Sequence, residues 1–251
     1  MSKLKFVKIA VVIATVLFLA GCASLPDNDI RIESYHISDT QMTTLGQGVS
    51  DSRSGDTLAQ KRSGLLFFPD GVDAFVVRAV IARLAEQTLD VQYYLYHSDL
   101  SGGILTTELW AAAERGVRVR LLLDDMDMGG KDSDLAALNA HENIQIRLFN
   151  PFIRGKSRVG QLVSRFGTVT RRAHNKAMIA DNQVGIVGGR NIGDEYFGAD
   201  PDVAFGDLDV LVTQPAVNDI STEFDLYWNS PLAYPVETLV DKEATPQELE
   251  Q

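Results

Sequence analysis

Between residues 72 and 149 the apolar residues switch repeatedly between a helical and a strand-like period, and that alternation leaves few folds open. Val72, Phe75, Val76, Ala79, Val80 and Leu84 recur at helical spacing. Leu89 to Tyr96 reads as a strand, Ile104 to Arg115 as an amphipathic helix stopped by Gly116, and Val117 to Leu123 as a strand ending in Asp124 and Asp125. Leu135 to His141 is a short helix and Ile144 to Phe149 another strand. Helices inserted between strands give parallel neighbours, because a parallel pair needs a crossover long enough to hold a helix. The fold class is therefore α/β: a mixed, mostly parallel sheet flanked by helices on both faces. Further on, Asp207 to Val212 reads as a strand and Ala216 to Trp228 as a helix, with Trp228 in the core.

The chain can bury such a sheet. It has 251 residues, 45% of them hydrophobic and 23% charged, near the globular average. Its formal net charge of -11 disfavours a nucleic acid partner, since that binding rests on Lys and Arg neutralising phosphates. One stretch reverses the balance. Residues 151 to 180 hold Arg154, Lys156, Arg158, Arg165, Arg171, Arg172 and Lys176 without one Asp or Glu. Such a run is either a solvated loop or a wall facing an anion, and its position directly before the motif described below favours the wall.

The ends are of a different character. Lys3, Lys5 and Lys8 precede a short apolar run, Ile9 to Leu19, and then Leu19-Ala20-Gly21-Cys22. The order is that of a secretory signal, too short to span a membrane comfortably. The last four residues resemble a bacterial lipobox, which implies a signal peptide over 1–21, removed before Cys22, and lipid on that cysteine. Several acyl chains hold a protein firmly, at about 0.8 kcal/mol per buried CH2. Ala23 in place of Asp favours the outer membrane over the inner within the cell envelope, with the protein facing the periplasm. Cys22 is the only cysteine, so no disulfide within the chain is available. Residues 22–64, rich in Ser, Asp, Thr and Gly, read as a flexible tether, 65–235 as the folded domain and 236–251 as a disordered acidic tail.

His174-Asn175-Lys176 followed by Asp181 has the form His-x-Lys-x4-Asp. In extended chain, residues two apart share a face, so His174 and Lys176 project together. Asp181-Asn182 sits where a turn belongs, and Val184 to Val187 returns as the second arm of a hairpin. That return brings Gly188, Gly189, Arg190 and Asn191 close to the histidine. These residue types suit a phosphodiester. Lys176 and the Asn191 amide can hold its non-bridging oxygens and stabilise charge gained in the transition state. A neutral imidazole can attack phosphorus and split one difficult displacement into two. A carboxylate can fix the imidazole's tautomer, and Asp207 and Asp209 are both candidates that the sequence does not separate. The cationic side chains supply the charge a Lewis acid would, so the motif requires no metal or other cofactor. Asp124 and Asp125, at a strand end, either border the pocket or serve as turn and cap residues. Tyr93, Tyr94 and Tyr96 fit strand packing better than a lipid path.

These motifs resemble the phospholipase D superfamily, whose signature is the HKD motif. Val187 to Phe197, Gln92 to Tyr96, Gly116 to Asp125 and Tyr227 to Ser230 resemble its cardiolipin synthase C branch over roughly residues 60 to 232. The resemblance implies a phospholipase D-like domain and transfer of a phosphatidyl group through phosphohistidine, to an alcohol or to water, with phosphatidylglycerol and phosphatidylethanolamine as substrates. It assigns catalysis to His174, Lys176 and Asp181, the last as the carboxylate holding the local structure. Phosphate binding falls to Lys176 and Asn191, with support from Asp207, Asp209, Gly188 and Gly189.

Two departures qualify the match. Gly189 stands where the commoner pattern has Ser, a loss of at most one hydroxyl donor. More seriously, family enzymes of this branch carry two motifs on one chain, and here there is one: His36, His97 and His141 have no Lys two residues later. The leaving alkoxide needs a general acid, which the second motif supplies. A homodimer could provide it, as could a separate C-terminal half. Alternatives are a catalytically incomplete half of a split or truncated enzyme and a single-motif nuclease.

Overall fold

The computed structural model describes residues 24–55, 58 and 61–240. The expected signal peptide, Cys22 and the chain from residue 241 lie outside the described residues. The elements follow in the order α1 (Thr44–Asp51), β1 (Leu65–Phe68), α2 (Gly71–Leu84), β2 (Thr88–Tyr93), α3 (Leu100–Glu114), β3 (Arg118–Asp124), α4 (Asp132–Asn139), β4 (Ile144–Phe149), α5 (Arg158–Ser164), α6 (Phe166–Val169), β5 (Ala177–Ala180), β6 (Val184–Gly188), α7 (Asp194–Phe197), β7 (Asp209–Thr213), α8 (Val217–Trp228) and β8 (Ala233–Pro235). Local signals set these boundaries. The Asp70 carboxylate caps α2 by accepting the N–H groups of Val72 and Asp73 at 2.9 and 3.1 Å. Asp99 caps α3 through Gly102 N at 3.0 Å. After α3, Gly116 takes φ +90°, where a Cβ would be strained, and the chain turns into β3.

The strands form one sheet in the order β1-β7-β6-β5-β2-β3-β4-β8. Only β2–β3 and β3–β4 are parallel; every other neighbouring pair is antiparallel. The sheet is thus α/β and mixed as expected, but mostly antiparallel rather than mostly parallel. The periodic region, β2 to β4, is the parallel part, and the expectation extended its pattern to strands joined by a hairpin or returning loops. Side chains alternate as the pleat requires. Leu89, Val91 and Tyr93 of β2 and Val119, Leu121 and Leu123 of β3 pack with Ala74, Ile81, Leu105 and Leu109 of α2 and α3. Leu122, Ile179 and Val212 face the other way, onto Val217, Phe224 and Trp228 of α8. Helices cover both faces, and Trp228 is fully buried.

The stretch read as a flexible tether is for much of its length docked. Asn28 donates to the carbonyls of Pro231 and Ala233, both at 3.1 Å. Ile32 O accepts from Arg147 at 2.5 Å, and Ser34 O from Arg120 at 2.8 Å. His36 donates its backbone N–H to Asp225 at 2.9 Å, and Thr40 is fully buried. These contacts are polar and irregular, which is why hydropathy periodicity does not reveal them. At the other end, Val236 is buried in a 3-10 turn over Val236–Thr238, so the fold runs past the expected boundary at 235.

Arg120 is the polar centre beneath this strap. Its guanidinium is fully buried and holds Asp90 by two bonds, 2.6 and 2.8 Å, and Asp225 by a third at 2.7 Å. Removing it would strand two buried carboxylates. Arg120→Leu should therefore cost about 3–5 kcal/mol in urea unfolding. It should also expose Arg31 to trypsin before the domain unfolds; a loss below about 1 kcal/mol would show that the network contributes little.

Candidate active site

The topology gathers the motif at one edge. β2, β3 and β4 run parallel, and their C-terminal ends define that edge. β5 is antiparallel to β2 with Ala177 opposite Gln92, so the chain just before β5 lies there. β6 returns with Val187 opposite Ala177, and β7 starts with Asp209 opposite Gly188. His174, Lys176, Gly188 to Asn191 and Asp207 to Asp209 thus converge on the carboxyl ends of the parallel strands, where open α/β sheets place their sites.

His174 is exposed and Lys176 is buried to 6% exposure. The Lys176 ammonium donates to His174 Nδ1 at 3.0 Å and to the His174 carbonyl at 2.7 Å. An ammonium has no acceptor, so Nδ1 presents its lone pair. Burial, and then the charge of Lys176, lower the imidazole pKa from its usual 6.5. Burial also lowers the Lys176 pKa, with Asp207 opposing. The Tyr94 ring lies 4.7 Å from the His174 ring, and Lys176 Nζ is 5.5 Å from the Tyr94 ring centre. Of the three tyrosines, Tyr93 and Tyr96 are buried in the core, as strand packing predicts. Tyr94, on the alternate side of the pleat, meets the histidine; its neighbours' alternation was the available signal.

Asn191 is oriented by two bonds. Its Oδ1 accepts from Leu95 N at 3.1 Å, and its Nδ2 donates to the Tyr196 hydroxyl at 2.8 Å. Gly188 permits close approach of β6 and β7: a Cβ there would lie 2.7 Å from Leu208 O and overlap the Asp209 carboxylate. At Gly189 a Cβ would overlap the Asp207 carboxylate. The two aspartates separate in the structure. Asp209 is fully buried, paired with Arg78 at 3.0 Å and Arg190 at 3.4 Å, and so committed to the core. Asp207 is exposed, and its field acts on Lys176. Neither carboxylate hydrogen-bonds to His174, whose Nδ1 is held by Lys176 instead.

Asp181 is at the other end of β5, about 16 Å from Lys176 at strand rise. Its fully buried carboxylate accepts the N–H groups of Glu86, Gln87 and Thr88 at 2.8–3.2 Å. It fixes the hairpin and does not reach the reacting groups. The basic run is partly consumed inside the protein. Asp125 and Asp132 take Arg154, Asp125 lies 3.6 Å from Arg158, and Asp124 takes Arg172 at 3.1 Å. Asp124 also accepts the Ala173 N–H at 2.9 Å, one residue before His174, so this strand-end carboxylate positions the motif. Burial raises the Asp124 pKa, with Arg172 opposing. Among the described residues one group could hold a metal ion: His97, Asp99 and Glu195, whose ligand atoms lie within 4.8 Å of one another. Asp99 is already engaged there, capping α3 and accepting the Asp194 N–H at 2.8 Å.

A family model described as "Cardiolipin synthase, PLD-like domain" matches residues 80–228, which include every strand from β2 to β7 and the whole motif. The chain belongs to this phospholipase D-like family. Cardiolipin synthase C of Escherichia coli (strain K12) is 46% identical over 178 residues, 71% of this chain and 38% of that protein. An uncharacterized protein of Helicobacter pylori (strain J99) is 37% identical over 235 residues, 92% of this chain and 46% of that one. The chain therefore spans less than half the length of these relatives. Phosphatidylserine synthase of Haemophilus influenzae Rd KW20 shares the fold, with a TM-score of 0.54 at 13% identity, covering 74% of this chain and 41% of that one.

Three outcomes test this phospholipase D-like site. The His174 imidazole should titrate by NMR with a midpoint below 6.5, leaving it neutral at neutral pH. Lys176→Met removes the adjacent positive charge, so the midpoint should rise; an unmoved midpoint would leave burial as the only cause. Gly188→Ala forces a methyl against Leu208 O and should cost about 1–3 kcal/mol in urea unfolding.

Proposed function

We propose that the chain is a phospholipase D-like phosphatidyltransferase or phosphodiesterase acting on membrane phospholipids. The observation that carries this reading is the His174–Lys176 pair at 3.0 Å with an oriented Asn191 near it. Substrate phosphate competes with the imidazole for the Lys176 ammonium. Once Lys176 turns to the phosphate, the neutral ring is free to attack phosphorus, and the bond to the leaving alcohol oxygen breaks. That alkoxide takes a proton from a general acid. In the second step an alcohol or water attacks, the phosphorus–nitrogen bond breaks, and the incoming oxygen gives its proton to the group that served as the acid, which restores it. Lys176 and the Asn191 amide compensate the charge on the non-bridging oxygens in both steps.

Phosphatidylglycerol and phosphatidylethanolamine are the proposed substrates, and cardiolipin or phosphatidic acid the products, in keeping with relatives called cardiolipin synthase. The general acid is proposed to come from a second motif, on another copy of this chain or on a separate C-terminal half. One feature supports an assembled state: α2 is apolar outside as well as inside, with Val72, Val76, Val80 and Leu84 at 40–55% exposure, and a helix apolar all round is one that something further covers. Lipidation of Cys22 and a periplasm-facing place in the envelope, at the outer membrane, complete the reading. The lipobox sequence supports it.

The chain from Ala23 onward, given phosphatidylglycerol micelles with and without phosphatidylethanolamine, should yield cardiolipin or phosphatidic acid by mass spectrometry. His174→Ala should lower turnover by about a thousandfold or more; undiminished turnover would refute the mechanism. No product from the wild type would favour the second reading, an inert half of a two-motif enzyme. Comparable nicking of plasmid DNA would favour a nuclease. In cells, Cys22→Ser should move the protein out of the membrane fraction; unchanged fractionation would remove the lipid anchor from the proposal.

A further inference from the structure

α5 and α6, directly before the motif, present an apolar face that the fold does not use. Val159 and Val163, one turn apart on α5, and Phe166, the first residue of α6, are 72%, 79% and 70% exposed. The segment is held firmly by other residues. Gln161, buried, bonds to both the N–H and the carbonyl of Ile153 at 2.8 and 3.0 Å. Asn150 donates to the carbonyls of Thr168 and Arg171, each at 2.7 Å, and Val169 is fully buried. The three apolar side chains therefore stand on a fixed platform, with their backs already satisfied. The exposed charges of this stretch of chain are of one sign: Lys156, two residues before α5, and Arg171, two residues after α6, are exposed, and residues 151 to 180 contain no Asp or Glu.

We infer that this platform is a bilayer-docking surface that takes the interface of a membrane containing anionic phospholipids. Apolar side chains flanked by cations suit an interface in which acyl chains lie just below anionic headgroups. A second copy of the chain fits less well. A two-fold contact would set the patch against itself, bringing Lys156 and Arg171 close to their own equivalents. The place also suits the task. α6 ends at Val169, five residues before His174, a span of at most about 18 Å. Docking here would hold the reacting edge of the sheet at the headgroup layer. The inference leans on the proposed phospholipid substrate for that last point only, and binding can be read without turnover.

The test uses the chain from Ala23 onward, which keeps every described element, and its His174→Ala variant. Each is sedimented with phosphatidylcholine vesicles, with and without phosphatidylglycerol. Both proteins should bind the anionic vesicles, less tightly at high salt. Val159→Asp, Val163→Asp and Phe166→Asp combined should weaken binding by about tenfold or more. The same triple variant should keep the wild-type dichroism spectrum and its turnover of a soluble phosphodiester. Failure of the wild type to bind, or undiminished binding by the triple variant, would overturn the inference. So would a triple variant that still binds but no longer self-associates, since the surface would then belong to a second copy. Vesicle binding without turnover would count against catalysis by this chain alone and leave the docking surface standing; turnover of a soluble phosphodiester without vesicle binding would refute the docking surface alone.

Discussion

The Asp181 carboxylate, buried and bonded to three successive backbone N–H groups, is the contact on which the geometry of the site depends. Glu86, Gln87 and Thr88 lead into β2, and their amide hydrogens would otherwise have no partner in the sheet. Bonds from backbone donors to a carboxylate are among the stronger hydrogen bonds in proteins. Asp181 also begins the β5–β6 turn, where it and Asn182 take φ of +51° and +48°, a conformation that Asp and Asn tolerate better than most residues. One side chain thus fixes the base of β2 and the tip of the hairpin together. Because β5 is antiparallel to β2, fixing its far end sets the register that places Lys176 and His174 at the opposite edge. Thr40 donates its hydroxyl to the Asp181 carbonyl and accepts from Gln183 at 2.8 Å, so the N-terminal strap closes on the same turn.

The parts of this arrangement that repeat were readable in the sequence, and the parts that depend on single polar contacts were not. α2, α3, α8 and the three parallel strands follow from apolar periodicity, which reports burial on one face. The hairpin follows from Asp181-Asn182. Strand direction does not follow from period: β1 is four apolar residues without alternation and β8 only three residues long, and nothing in these or in β7 says that they run against their neighbours. The strap over residues 28 to 40 docks through Asn28, Ser34, His36 and Thr40. Those are the residue types that also make a flexible linker, so composition alone reads as a tether. In the same way Asp207 and Asp209 look equivalent in sequence, and only the arginines around Asp209 distinguish them.

Those arginines explain how an acidic chain sustains a basic site. Arg78, Arg120 and Arg190 are buried and spent on Asp90, Asp209 and Asp225. Asp124 and Asp125 consume three cations of the basic run. Their purpose is mechanical. By holding Arg172 and the Ala173 N–H, Asp124 stretches the chain into His174 from one side, as Asp181 does from the other. The positive charge left close to the imidazole is that of Lys176, and the chemistry calls for it at that place.

The proton inventory then determines what this site can do by itself. Lys176 at Nδ1 keeps the imidazole neutral, which suits a nucleophile and not an acid. Once phosphorus occupies the ring, that same imidazole cannot also protonate the departing alkoxide. Tyr94 beside it is held in its phenol form, since burial raises its pKa, and a phenol so stabilised is a poor proton donor at neutral pH. Asp207 is a carboxylate on the Lys176 side, placed to balance the ammonium. On the proposed mechanism the first half-reaction therefore has its nucleophile and its anion holders at this edge, and among the described residues neither Tyr94 nor Asp207 supplies its acid. In that mechanism the acid is a second imidazole, and it must carry the proton that Lys176 keeps off His174, so the two rings have to differ in charge when the substrate is bound.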